Sequence, residues 1–146
     1  MNGCNFDLKT KDILNRLEET RKEFWNLPHE SANFINILIK ISKAKRVLEI
    51  GTSNGYSGIW IAKALLETGG KLDTIEFYQK RIDLAVENFK KANLLDIITI
   101  HQGSALSVID EFENNTFDFV FIDASKPEYL AYFLKLEAKI TENAII

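Results

Sequence analysis

The sequence predicts an α/β fold, a parallel sheet covered by helices on both faces. Three observations carry it. Short apolar runs alternate with helical stretches from about Arg46 onward. The run Phe117 to Ile122 reads as a strand buried on both sides, as parallel strands are. The runs end in polar or glycine-bearing loops, where such sheets bind ligands, outside the carboxyl ends of their strands. A length of 146 residues fits one domain, 1–146, with a helical extension over 1–27 and a core over 28–146.

Each element follows from its local pattern. Asp12 to Phe24 sets Ile13, Leu14, Leu17 and Phe24 on one face of an amphipathic helix. Asn26-Leu27-Pro28 interrupts it, because proline lacks an amide and restricts the residue before it. A second helix is expected from His29 to Ser42, burying Phe34, Ile35, Leu38, Ile39 and Ile41. Val47 to Ile50 is the first strand, and a helix from Tyr56 turns Ile59, Ala62, Leu65 and Leu66 inward. Thr68-Gly69-Gly70 stops that helix.

Lys71 to Ile75 is the second strand, followed by a helix over Arg81 to Ala92 with Ile82, Ala85, Val86 and Phe89 inside. Ile97 to Ile100 is a third strand and Ala105 to Phe112 a short helix. Asn114-Asn115 turns the chain into the fourth strand. Lys126 to Lys139 is read as a helix, and Asn143 to Ile146 as the start of a fifth strand.

Composition removes several function classes. Lys+Arg 18 against Asp+Glu 21 gives a net charge of -3, without the broad basic footprint of a duplex-binding protein. Cys4 is the only cysteine, so an internal disulfide and a CxxC zinc or redox site are excluded. His29 and His101 are too few for a histidine-rich metal cluster, and read as polar or structural residues. Trp25 and Phe24 are expected to pack the leading helix. No signal peptide or membrane span is read, and the cytoplasm is the expected location.

The loop Gly51-Thr52-Ser53-Asn54-Gly55 joins a strand to a helix N-terminus, where backbone can approach a ligand and free amides face it. It lacks the second glycine of G-x-G-x-x-G, and Glu49 inside the strand end suits a cation better than a pyrophosphate. A nucleoside ligand is favoured over a dinucleotide; the plain alternative is a tight βα turn. Glu76, ending the second strand, can accept both hydroxyls of a ribose. Its alternative is a solvated carboxylate capping the next helix.

The run from Val47 to Ser57 resembles the first motif of S-adenosylmethionine-dependent O-methyltransferases of the catechol and caffeoyl-coenzyme A type. Four more stretches match that family in order: Asn26 to Glu30, Thr74 to Glu76, Gln102 to Leu106, and Phe117 to Lys126. The resemblance implies a Rossmann-like class I methyltransferase fold whose closing C-terminal strands are missing here. It implies that S-adenosylmethionine lies against Leu27, Glu49, Gly51, Thr52, Gly55, Tyr56, Ser57, Glu76, Phe77, Gly103, Ser104, Ala105, Asp123 and Ser125. Asp123 would also be the first carboxylate ligand of Mg²⁺ or another divalent cation, and Lys126 the proton acceptor. Capping the next helix and an ordinary surface lysine are the alternatives for those two.

Two departures stand out. Asp123-Ala124-Ser125-Lys126 replaces the family's Asp-Ala-Asp-Lys, and the chain stops before the Asp-Asn pair that would supply the other metal ligands. The implied activity is methyl transfer to a hydroxyl of a small phenolic or catechol-like molecule. A modified tRNA nucleoside is the alternative acceptor, although the acidic balance argues against nucleic acid. The rival reading is a truncated, non-catalytic cofactor-binding module or partner subunit. The leading helix resembles a dimer-forming segment, which implies a homodimer.

Overall fold

In the computed structural model, which describes residues 6–146, the leading helical stretch is two helices, α1 (Leu8–Glu19) and α2 (Arg21–Phe24). Cys4 lies outside the described residues. The helix starts earlier than periodicity suggests because Asp7 caps it, accepting hydrogen bonds from the Thr10 amide (2.9 Å) and hydroxyl (2.7 Å). Lys63 Nζ also reaches Asp7, at 2.8 Å. The Lys63 hydrogen bond, then those from Thr10, hold the Asp7 carboxyl well below its ordinary 3.8. Asp7→Ala is expected to cost about 1 kcal/mol at neutral pH in urea denaturation. A depressed carboxyl stabilises the fold above its unfolded value, so the deficit should shrink as pH falls below about 4.

The remaining elements are α3 (His29–Ser42), β1 (Arg46–Ile50), α4 (Tyr56–Thr68), β2 (Lys71–Glu76), α5 (Gln79–Lys91), β3 (Ile98–Gln102), α6 (Ala105–Glu111), β4 (Phe117–Ile122), α7 (Tyr129–Leu136) and β5 (Ile140–Ile145). Two single 3₁₀ turns, Leu95–Ile97 and Lys126–Glu128, precede β3 and α7. The expected helix over 126–139 is therefore shorter, because Pro127 confines its first residues to the 3₁₀ turn. β5 begins at Ile140 rather than Asn143, where pairing of Phe117 with Ile140 recruits the chain.

All five strands are parallel, in the order β3-β2-β1-β4-β5. Successive residues of β1 serve opposite faces. Val47 joins a core with Ile39, Ile59, Leu65 and Phe89, whereas Leu48 and Ile50 join Ile75, Ile109, Val120 and Leu136. Strand order reverses beside β1, with β2 on one side and β4 on the other, so the loops after β1 and β4 open side by side.

Several expected core positions face outward. On α3 the inward stripe is Ala32, Ile35, Asn36 and Ile39, which leaves Phe34 exposed and Ile41 73% exposed. Asn36 is tolerated inside because its Nδ2 donates to the Trp60 carbonyl at 2.6 Å. Leu66 and Val86 also face solvent. β4 is buried on both faces only in part, since Phe121 and Ile122 are half-buried beside the open strand ends. Leu130, Phe133 and Leu134 of α7 are exposed, as are Ile145 and Ile146 at the end of the edge strand β5. Among the described residues, no helix is long and apolar enough to cross a membrane.

Candidate active site

At the strand-order reversal lies a cleft of about 790 Å³. Its floor is the joint between the loops after β1 and β4. The Asp123 amide donates to the Ile50 carbonyl (2.9 Å), and the Gly51 amide to the Ile75 carbonyl (3.0 Å). Gly51 is required there: its φ is +103°, and a Cβ would stand 2.2 Å from the Asp123 carbonyl oxygen.

Leu27, Gly51, Ser57, Glu76, Phe77, Gly103, Ser104, Ala105, Asp123, Ser125 and Lys126 all line this cleft. The topology thus gathers residues from five separate stretches of sequence. Glu49, Thr52, Gly55 and Tyr56 lie outside this lining. Thr52 is buried and shares a 2.7 Å hydrogen bond with Thr74. Gly55 packs inward, where a Cβ would meet the Phe89 ring at 2.8 Å. Tyr56 is buried with its hydroxyl turned to Glu18, at 2.7 Å.

Glu49 is 0% exposed, directly beneath Ser57. Its carboxyl accepts hydrogen bonds from the Ser57 hydroxyl and, at 2.7 Å, from Thr74 Oγ1. Burial pushes this carboxyl up to about 7, opposed by the two hydroxyls and reinforced by Asp123 and Glu76. Ser57, which bonds this carboxyl, itself lines the cleft. Alternation along β1 accounts for this: residue 49 must point across the sheet from Leu48 and Ile50.

Glu76, at the end of β2, is pinned by backbone. Oε1 accepts the amides of Phe77 (2.9 Å) and Tyr78 (3.0 Å), and Oε2 that of Ser53 (2.9 Å). By lone-pair count one acceptor position stays open, on Oε2. Acceptance of two further hydroxyls, as the sequence suggested, requires one of those amides to give way.

Asp123 faces the cleft from the end of β4. Partial burial raises its carboxyl above the ordinary value against the pull of Lys126. Among the described residues, no group of three His, Cys, Asp or Glu side chains is placed to hold a metal ion. Asp123 would offer the divalent cation implied by the resemblance one carboxylate ligand.

Sequence reasoning did not single out Arg81, Tyr78 or Tyr132 as cleft residues. The Arg81 guanidinium lies 5.4 Å from the Tyr78 ring centroid. Trp25 was expected to pack the leading helix, yet it is 84% exposed in a left-handed conformation (φ 57°) at the cleft wall. The only early signal for it was its position before the Asn26-Leu27-Pro28 break. His101 is structural, pairing through Nε2 with Asp73 at 2.7 Å.

Comparison with known proteins agrees with this geometry. An O-methyltransferase family profile matches residues 7–146. A catechol O-methyltransferase of Niastella koreensis is 34% identical over 122 residues, covering 82% of this chain and 55% of that protein. Caffeoyl-CoA O-methyltransferase 1 of Eucalyptus globulus is 35% identical over 136 residues, covering 88% and 55%. The chain spans about half the length of these curated relatives.

An O-methyltransferase of Streptomyces achromogenes involved in tomaymycin synthesis, solved with SAM, superposes with a TM-score of 0.83 at 29% identity. It covers 92% of this chain and 63% of its own. An O-methyltransferase of Bacillus cereus, solved with SAH, gives 0.80 at 33% identity, with coverage of 92% and 62%. The fold is the Rossmann-like fold of these enzymes, and the chain belongs to the O-methyltransferase family.

Proposed function

We propose that the cleft binds S-adenosylmethionine and that the protein transfers its methyl group to a hydroxyl of a small phenolic or catechol-like acceptor. The observation that carries this reading is the buried Glu49 carboxyl, raised to about 7 beneath Ser57, with Glu76 held by backbone amides in the cleft lining. A site that costs free energy to ionise when empty becomes favourable once a cation lies over it. When bound, the donor supplies an electrophilic methyl on a positively charged sulfur.

Gly51 and Ser57 take the methionine portion, Glu76 Oε2 a ribose hydroxyl, and Gly103 to Ala105 the edge of the base. Trp25, Phe24, Asp123 and Lys126 line the same cleft, and a flat acceptor lies among them in this reading. The acceptor oxygen attacks the methyl carbon, and the carbon–sulfur electron pair returns to sulfur. The hydroxyl proton leaves by way of Lys126 Nζ to solvent.

Isothermal titration should show saturable binding of S-adenosylmethionine and none of NAD. Glu76→Ala is expected to weaken binding about tenfold, the value of one or two hydrogen bonds to a carboxylate. Folded Glu76→Ala protein that binds as tightly as the parent would sink the ribose assignment. Mass spectrometry of catechol incubated with protein and S-adenosylmethionine tests the transfer. The second reading is a module that binds the donor without turnover. Tight binding with no methylated catechol or related phenol would select it.

A further inference from the structure

We infer that the Glu18–Tyr56 hydrogen bond is a latch holding the 20–28 segment against the loop after β1, which makes Tyr56 a positioning residue for ligand binding. The inference rests on the proposed occupant of the cleft. It assigns to Tyr56 a task different from the direct cofactor contact that the sequence suggested.

Two polar contacts hold Glu18 and His29, which flank this segment on either side, and two more reach the segment itself. Tyr56 Oη donates to Glu18 Oε1 at 2.7 Å, and His29 Nδ1 meets the same oxygen at 3.0 Å. Ser53 Oγ donates to the Phe24 carbonyl at 3.2 Å, which joins the segment directly to the loop. Asn26, itself buried, donates from Nδ2 to the Leu17 carbonyl at 3.1 Å. Tyr56 is 1% exposed and is the first residue of α4, immediately after the loop. Burial, then the Glu18 hydrogen bond, push its phenol far above the ordinary value. It therefore remains a donor throughout the working pH range.

The segment is shaped to move as a unit. Helical structure breaks at Thr20, and Trp25 holds a left-handed conformation that a bulky side chain seldom adopts. Between these points α2 is only four residues long and buries none of its own side chains. Phe24 to Leu27 nevertheless form one wall of the cleft. A wall with so little core of its own depends on its polar ties, and the strongest of them ends on Tyr56, since hydrogen bonds to a charged group exceed neutral ones.

The test combines ligand binding with limited trypsin digestion of the parent, Tyr56→Phe, Glu18→Ala and the double variant. Glu18 is part-exposed, so Glu18→Ala keeps the fold if Tyr56→Phe does not. Each single variant should weaken S-adenosylhomocysteine five- to tenfold. Each should also speed cleavage after Arg21 and Lys22 about tenfold, with the thermal midpoint lowered by only a few degrees. The double variant should be no worse than Glu18→Ala, which already removes the bond that Tyr56 makes along with that of His29. Saturating S-adenosylhomocysteine should restore protection.

Tyr56→Phe protein that binds and is cleaved like the parent overturns the latch. So do effects of the two substitutions that add in full. A parent that fails to bind S-adenosylhomocysteine overturns the donor reading instead, while cleavage rates without ligand still decide the latch.

Discussion

Glu49→Gln is expected to lower affinity for S-adenosylmethionine about 100-fold at mildly alkaline pH. That fold-change corresponds to about 2.7 kcal/mol, within the range for removing one member of a buried charge pair. The substitution keeps the shape and one acceptor for Ser57 or Thr74, so the loss reports charge rather than packing. The pH dependence is sharper evidence. A cation binds the ionised form, and in the empty protein the carboxyl reaches half-ionisation only at about 7. Parent affinity should therefore rise about tenfold from roughly pH 5.5 to 7 and level off above, with the Gln variant flat.

Stability without ligand moves the other way. Between the ordinary 4.5 and about 7 the folded protein holds a proton that the unfolded chain has lost. Stability from this group is present in full below the first value and is lost as pH rises through the second. The loss is on the order of 3 kcal/mol, and Glu49→Gln should abolish that slope. Calorimetric titration against pH checks the binding, and urea denaturation at several pH values checks the stability. Equal pH slopes in parent and variant would show that Glu49 does not sense the ligand.

Gly51→Ala should be the most damaging small substitution in the chain, destabilising it by more than about 3 kcal/mol and abolishing binding. The added methyl meets the Asp123 carbonyl oxygen at 2.2 Å, a main-chain atom held by β4, so no side chain can swing aside. Relief requires parting β1 from β4 at the cleft floor, which breaks the bond from the Asp123 amide to the Ile50 carbonyl. Gly69→Ala is the control. It also has positive φ (+75°), but the added methyl meets only Lys45 Nζ, at 3.6 Å. Its cost should stay near 1 kcal/mol, with binding intact. Denaturant midpoints of the two variants decide the point: equal losses would refute the steric argument.

The parallel sheet was legible because β1 to β4 are short apolar runs separated by amphipathic helices. The cleft lining was legible where a residue follows a strand directly, as Glu76, Gly103 and Asp123 do. Misreadings fell where a single residue overruled periodicity. Asp7 started α1 early, Thr20 broke it, and Pro127 gave up a turn of the last helix. Phe34 and Ile41 look like core in the sequence. Hydrophobicity alone does not say which side of a helix meets its neighbour.

Strand and helix order, the two sheet faces and the acidic, glycine-bearing loops were therefore settled by the chain's local chemistry, through periods of two and 3.6 residues and the demands of tight turns. Three dimensions were needed to place Glu49 beneath Ser57, to turn Tyr56 toward Glu18 and to set Trp25 at the cleft wall. Each depends on partners many positions away, and burial, desolvation and pairing arise only when distant segments are packed together.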